Sequence, residues 1–318
     1  MLKILLIKTS SMGDVLHNLP VVADICKHVA EVRIDWVVEE DFSLLPALHH
    51  GVSRIFPVAL RRWRKAWWRS RGEIRSACHN LAEHPHDLAL DTQGLLKSAL
   101  IARCSNAASH GFDWNSAREP VASLFYGRTY CVAKNLHAVE RNRRLAGLAL
   151  GYEPQGAADY GIRAPDLLLP WLPSEPYVVL LHATSRDDKL WDETNWIELG
   201  GHLARAGMRA VLPWGNDQEL SRSARLCAAI PGAVLPPRIN LQEAAAMLGG
   251  ACGAVGVDTG LSHLAAALGV PTVGIYTATD PGLTGLYAGD RAINLGGKNS
   301  PPSVARVRAA LDQVTRHE

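Results

Sequence analysis

Short apolar runs alternate with helix-length amphipathic segments from one end of this chain to the other, and nothing else in it constrains the fold as strongly. The runs fall at 2–7, 32–38, 54–58 and 87–91, then again at 177–182, 208–213, 252–257 and 271–276. Helical periodicity fits 14–29, 72–83, 94–103, 137–149, 192–206, 217–229, 241–249, 260–268 and 302–316. Continuous apolar strands separated by helices predict α/β folding, with doubly wound parallel sheets covered on both faces.

Residues 151–176 separate the two strand series, with five prolines and three glycines in 26 residues. That density predicts an interdomain linker between two domains of similar size, with a cleft between them. Ligand sites in open α/β sheets lie beyond the carboxyl ends of the strands, so the loops after each apolar run are the places to look. A net charge of +2 on 318 residues gives no global field for nucleic acid. The six cysteines are scattered without C-x-x-C or zinc spacing, which predicts reduced, mostly buried thiols in a cytosolic protein. The N-terminus enters a strand at once and does not resemble a signal peptide, and no apolar run reaches the ~18 residues of a membrane span.

The first loop reads KTSSMGDVLHNLP, residues 8–20. Gly13 lets the backbone approach a ligand, and Ser10, Ser11 and the free N–H groups of the following helix suit an anion or hydroxyl. Asp14 stands at or near the helix start. Capping alone would stabilise such a helix by about 1 kcal/mol, so a capping and a chemical role both stand on spacing alone. G-x-G-x-x-G and G-x-x-x-x-G-K-[ST] are both absent, which argues against a dinucleotide fold and a P-loop kinase.

The stretch VGVDTGLSHLAAALGVP, 255–271, repeats the logic in the second half. Thr259 and Gly260 open a helix whose N–H groups suit a diphosphate. Asp258 fits sugar hydroxyls, and His263 lies in the first turn. After the strand at 177–182, Thr184 and Ser185 offer hydroxyls and Lys189 a cation for a departing diphosphate. Asp187 and Asp188 are weak evidence for a metal, and none is predicted. Glu219, after PWGND, lies where a carboxylate reads a ribose diol, although in isolation it is a surface helix residue.

Residues 61–71, RRWRKAWWRSR, carry six basic residues and three tryptophans. As one helix, Arg61, Arg62, Arg64 and Lys65 would share a broad cationic arc opposite Trp63 and Trp67. A solvated basic face is the ordinary reading; this density favours binding to an anionic membrane surface or lipid phosphates, with nucleic acid disfavoured by the overall charge. Arg118 in SAREP would extend the patch.

These segments, together with AREPVASLFY and HATSRDDKLW, resemble in order and spacing the lipopolysaccharide heptosyltransferases of glycosyltransferase family 9, in their lipid-proximal type. The resemblance runs from residue 1 to about 290. It implies a GT-B fold of two Rossmann-like domains, 1–165 for the acceptor and 166–301 for the donor, with a C-terminal helix at 302–318 returning to the first. It implies an inverting, metal-independent transfer of heptose from ADP-L-glycero-β-D-manno-heptose to the inner Kdo of Kdo2-lipid A, with no cofactor, at the cytoplasmic face of the inner membrane. Asp14 then matches the catalytic base, with Ser10, Ser11 and Gly13 beside it. Thr184, Ser185, Lys189, Glu219, Ile239, Asp258, Thr259, Gly260 and His263 match donor contacts, Ile239 lining the adenine. Arg61, Arg62, Arg64, Lys65 and Arg118 match acceptor contacts. The alternatives are a heptosyltransferase II-like member with another acceptor sugar, a non-catalytic nucleotide-sugar or lipid-binding module, and a dehydrogenase disfavoured by the missing glycine fingerprint.

Overall fold

Each of the eight apolar runs forms a parallel strand in the computed structural model, which describes residues 1–316. The chain divides at Gly161/Ile162 into two units, where 165/166 was expected. The last two residues of the expected 302–318 helix lie outside the described residues.

The first unit is a six-stranded sheet of β1 (Leu2–Ile7), β2 (Val32–Glu39), β3 (Val52–Val58), β4 (Leu88–Asp91), β5 (Ala108–Phe112) and β6 (Arg128–Tyr130), in the order β3-β2-β1-β4-β5-β6. Its helices are α1 (Met12–Leu16), α2 (Leu19–His28), α3 (Leu44–Ala47), α4 (Leu60–Lys65), α5 (Arg71–Glu83), α6 (Leu96–Cys104) and α7 (Ala138–Leu150). Leu5 and Ile7 pack with Val37, Phe56, Leu81 and Ile101 in one core. Ile4 and Leu6 alternate with them and are equally buried, so the sheet is covered on both faces.

Three expectations change here. The single helix at 14–29 is two, α1 and α2, because Pro20 sits in the first turn of α2 and fits a helix start better than an interior. The helix assumed across 61–71 breaks at Ala66, whose backbone (φ −138°, ψ 46°) leaves the helical region, and α5 begins only at Arg71. Strands β5 and β6 were missed because ASHGF and RTY carry too little apolar signal; β6 is a three-residue edge.

The thiols also depart from expectation. Cys78 on α5 and Cys104 on α6 are joined in a disulfide, with their Cα atoms 5.0 Å apart, and Cys26, Cys131 and Cys252 are exposed. The facing of two helices, which spacing does not encode, brought the pair together.

The second unit is a five-stranded parallel sheet of β7 (Tyr177–Leu181), β8 (Arg209–Val211), β9 (Gly253–Val257), β10 (Thr272–Tyr276) and β11 (Ala292–Gly296), ordered β11-β10-β9-β7-β8. Its helices are α8 (Glu193–Arg205), α9 (Asp217–Ala229), α10 (Leu241–Gly249), α11 (Gly260–Ala267), α12 (Pro281–Thr284) and α13 (Val304–Thr315). The C-terminal helix was expected on the first domain. Instead Val304, Val307, Ala310, Leu311 and Val314 join the core of the second sheet with Val255, Val273 and Ile275. Full burial of each Val or Leu there stabilises the packing by about 1.5–3 kcal/mol. A stripe at i, i+3, i+6, i+7 and i+10 shows that the helix is buried on one side, not which sheet it covers.

Strand order reverses between β1 and β4 in the first unit and between β7 and β9 in the second. Loops diverge at such points and leave a crevice at the carboxyl ends of the strands. The loop leading to Asp14 follows β1, and the loops carrying Thr184, Lys189 and Asp258 follow β7 and β9, so these candidates start from the two reversals.

Candidate functional site

In the first unit, the loop after β1 is held from both neighbouring strands. Lys8 donates its ammonium to the Thr92 carbonyl at 2.7 Å, and its own carbonyl accepts from the Trp36 indole at 3.1 Å. The Gln93 side chain, just past β4, then clamps the loop. Its Oε1 accepts from Thr9 N at 2.9 Å and Ser10 N at 3.3 Å, and its Nε2 donates to the Ser10 carbonyl at 2.6 Å. Gln93 is itself set by Asp91, whose Oδ1 accepts the N–H groups of Gln93 and Gly94 and whose Oδ2 accepts from the Tyr126 hydroxyl. Gly94 has φ +67°, a conformation that favours glycine. Burial pushes the Asp91 carboxyl above its ordinary range, although these hydrogen bonds oppose the shift. Burial likewise lowers Lys8 to about 8 against the pull of Asp14 and Asp91.

Asp14 is the third residue of α1. Its Oδ2 accepts from the Ser11 N–H at 2.9 Å and the Ser11 hydroxyl at 3.2 Å, the return arm of a capping box. Arg118 Nη1 lies 3.6 Å from the same oxygen. Oδ1 has no hydrogen-bond partner among the described residues. The capping and chemical readings therefore divide between two oxygens of one carboxylate. Gly13 lies in the first turn beside it, and the exposed Ser11 is the N-cap. Gln93 was missed by sequence reasoning; its signal is DTQG, a glycine-bearing loop at the end of an apolar run.

The basic segment is less uniform than a wheel suggests. Arg62 is matched by Glu73 at 2.7 Å and Glu40 at 3.4 Å, and the Trp63 indole donates to the same Glu73 at 2.6 Å. Arg61 lies 3.8 Å from Asp41 and stacks over Phe42. Arg64 and Lys65 are exposed, as are Trp67 and Trp68, with Arg71 3.9 Å above the Trp68 ring. Arg118, expected to extend this patch, stands at Asp14.

In the second unit a cavity of about 570 Å³ is lined by Thr184, Ser185, Glu219, Ile239 and Thr259, with Trp214 and Arg222. Glu219 accepts from Gly215 N at 2.7 Å and from the Asn216 amide at 2.9 Å, which holds its carboxylate on the PWGND loop. Trp214 donates its indole N–H to the Pro236 carbonyl at 2.9 Å. Arg222 donates to the Trp191 carbonyl at 2.6 Å, and its buried Nε has no hydrogen-bond partner. Trp214 and Arg222 were missed. PWGND follows a strand, which marks Trp214; Arg222 lies one helical turn beyond Glu219, which is visible only once α9 is placed.

At the edge of this region Asp258 gathers four groups. Its Oδ2 accepts from Lys189 at 2.7 Å and from the Thr279 hydroxyl at 2.8 Å, and His263 Nε2 lies 3.8 Å from Oδ1. The Asp258 carbonyl accepts from the Thr184 hydroxyl at 2.9 Å. Burial pushes this carboxyl up, but hydrogen bonds from His263, Lys189 and Thr279 outweigh it and hold the group well below the carboxylate range. Gly260 begins α11 immediately after, with Thr259 as its N-cap. All nine predicted donor residues thus lie in one unit, eight of them in the loops after β7, β8 and β9 or the helices they open, and Ile239 in the connection between α9 and α10. Asp188 is paired with Arg186. Among the described residues no group of three His, Cys, Asp or Glu side chains is placed to hold a metal ion, and no helix is long and apolar enough to cross a membrane.

Comparison with known proteins bears on the family and the fold. Residues 74–311 match the family model "Glycosyltransferase family 9 (heptosyltransferase)". The chain is 47% identical over 290 residues to lipopolysaccharide heptosyltransferase 1 of Salmonella typhimurium, covering 90% of this chain and 92% of that one. The structure of the E. coli heptosyltransferase WaaC with ADP superposes with a TM-score of 0.91 at 42% identity, covering 98% of this chain and 100% of that one. WaaC with ADP-2-deoxy-2-fluoro heptose gives 0.88 at the same identity, covering 98% and 99%. The two parallel-sheet α/β domains match these GT-B structures, as the resemblance implied. The chain belongs to glycosyltransferase family 9, the heptosyltransferases.

Proposed function

We propose that this protein transfers L-glycero-D-manno-heptose from ADP-heptose to the inner Kdo of Kdo2-lipid A, with inversion, in lipopolysaccharide inner-core synthesis. The observation that carries the reading is the 570 Å³ cavity at the β7/β9 reversal, where hydroxyls, an apolar wall and a carboxylate converge. Ile239 and Trp214 supply an apolar surface for adenine, and Glu219 a ribose acceptor. Thr184, Ser185 and the N–H groups at Thr259 and Gly260 face the diphosphate chemistry.

The acceptor hydroxyl attacks the anomeric carbon from the side opposite the diphosphate. The new C–O bond forms as the bond to ADP breaks, the hydroxyl proton passes to Asp14, and the electron pair leaves on the diphosphate. Oδ1 is the oxygen for this task, since Oδ2 is engaged by Ser11. The base contributes about 10²–10⁴-fold. Lys189 and the α11 N-terminus meet the charge that grows on ADP, and such preorganised donors commonly contribute more than the base. Asp258 holds Lys189 in place and, with His263, faces the sugar. Arg61, Arg64, Lys65 and Arg118 meet the acceptor's anions, while Arg62, neutralised by Glu73 and Glu40, braces the segment. On this reading the protein works peripherally at an anionic cytoplasmic membrane face. The tryptophan-bearing cationic segment favours this lipid-proximal step over a heptosyltransferase II-like acceptor.

The test is incubation of the protein with ADP-heptose and Kdo2-lipid A, with and without chelator. The expected product is heavier by one heptose in both. ADP binding without such a product would leave a non-catalytic module.

A further inference from the structure

The first unit contains a second cavity, of about 480 Å³, that none of the roles above uses. Its size lies within the range of small-molecule sites, about 300–1,000 Å³. Val58, Trp63, Leu81 and Ile101 line it and are buried to 8% exposure or less. Trp67 and Leu100 also line it and are about half exposed, at 55% and 47%, so the apolar surface runs from the interior to solvent. Three cations share the lining: Arg61, Arg64 and Lys97, all exposed and hence at the mouth. So does Ser10, of the loop that carries Asp14. No carboxylate lines this cavity.

An apolar floor with a cationic mouth is complementary to one kind of ligand, an alkyl chain on an anionic head. Water gains little there, because most of the lining side chains are apolar. We propose that this cavity takes an acyl chain of the lipid acceptor, with Arg61, Arg64 and Lys97 holding the anionic group to which the chain is tethered. Ser10 ties the site to the reaction loop, which favours the acceptor's own chain over a bulk membrane lipid. The proposal rests on the lipid A reading above and adds a tail-recognition site to it.

Two measurements on the full chain test it. Calorimetric titration with octyl and dodecyl phosphate, below their micelle concentrations, needs no turnover. Each fully buried methylene tightens binding about fourfold, so dodecyl phosphate is expected to bind at least tenfold tighter. Leu100→Glu puts a carboxylate at the exposed mouth, and Ala77→Phe, at a half-buried lining position on α5, fills part of the cavity; both are expected to erase the difference while leaving ADP affinity unchanged. Equal affinity for the two phosphates, or a chain-length effect that survives both variants, overturns the site. The second measurement compares KM for acylated and de-O-acylated acceptor. The acylated form is expected to have at least tenfold lower KM, and Leu100→Glu to abolish that advantage without changing KM for the de-O-acylated form. Chain-length-dependent binding with equal KM values would give the cavity to another lipid and overturn the acceptor-tail assignment. Absence of transfer to either acceptor, with alkyl phosphate binding intact, would count against the reaction and not against the cavity's preference for alkyl anions.

Discussion

Lys189 Nζ lies 2.7 Å from Asp258 Oδ2, an ion pair that ties the loop after β7 to the loop after β9 where the strand order reverses. The lysine is thereby aimed before any donor arrives, and little side-chain entropy is left to lose on binding. Lys189→Met is expected to weaken ADP-heptose binding about 10–100-fold, as for loss of one or two charge-assisted hydrogen bonds. Asp258→Asn is expected to act in the same direction through the released lysine. Calorimetry with ADP checks both, and unchanged affinity in Lys189→Met would remove the lysine from the diphosphate.

Gln93 belongs to the first unit, and the proposed donor cavity to the second. Its amide makes three backbone hydrogen bonds to Thr9 and Ser10, so Gln93→Ala is expected to cost about 1–3 kcal/mol and loosen the loop that carries Asp14. The distinguishing readout is a steep fall in kcat with ADP affinity intact, since the cavity proposed for ADP lies in the other unit. Gln93→Glu keeps an acceptor for the two N–H groups but loses the donor to the Ser10 carbonyl, and should fall between.

Acid should destabilise each unit through buried histidines, His49 and, in the same direction, His110 in the first and His182 in the second. Burial, with His50 adding to it, lowers His49 to about 4, and burial with nearby Arg222 does the same for His182, which bonds the Ser223 hydroxyl at 2.7 Å. Between about pH 6.5 and 4 the unfolded chain takes up protons that the folded chain refuses, so stability falls as pH falls through that window and levels below it. The slope is at most about 1.4 kcal/mol per pH unit for each histidine. Urea unfolding at pH 7.5 and 4.5 checks it: His182→Gln should flatten the dependence of the second unit, and His49→Gln should reduce that of the first.

How much of this was legible in the letters follows from what each residue's signal depends on. Leu2–Ile7 reads as a buried strand because both faces are apolar, whereas Arg128–Tyr130 is an edge of three residues and carries no such mark. Asp258 and Thr259 stand immediately past β9, Thr184 in the loop after β7, and Asp14 in the first helix after β1, so local order finds them. Gln93 acts on Ser10 from 83 positions away and needs the β1/β4 pairing to be seen. Arg62 looks like its neighbours until α5 brings Glu73 against it. The C-terminal helix shows its apolar stripe but not the sheet it covers, and the cysteine pair depends on two helices facing.

The central claim is that Asp14, held through one oxygen by Ser11, takes the acceptor's proton with the other. Asn keeps an oxygen to accept from Ser11 and so preserves the helix start, which separates the two roles. The direct measurement is kcat of Asp14→Asn with saturating ADP-heptose and Kdo2-lipid A, alongside its ADP affinity. The account predicts turnover lower by about 10²–10⁴-fold with ADP bound as well as before. Near-normal turnover would contradict it and leave Asp14 as a helix cap alone.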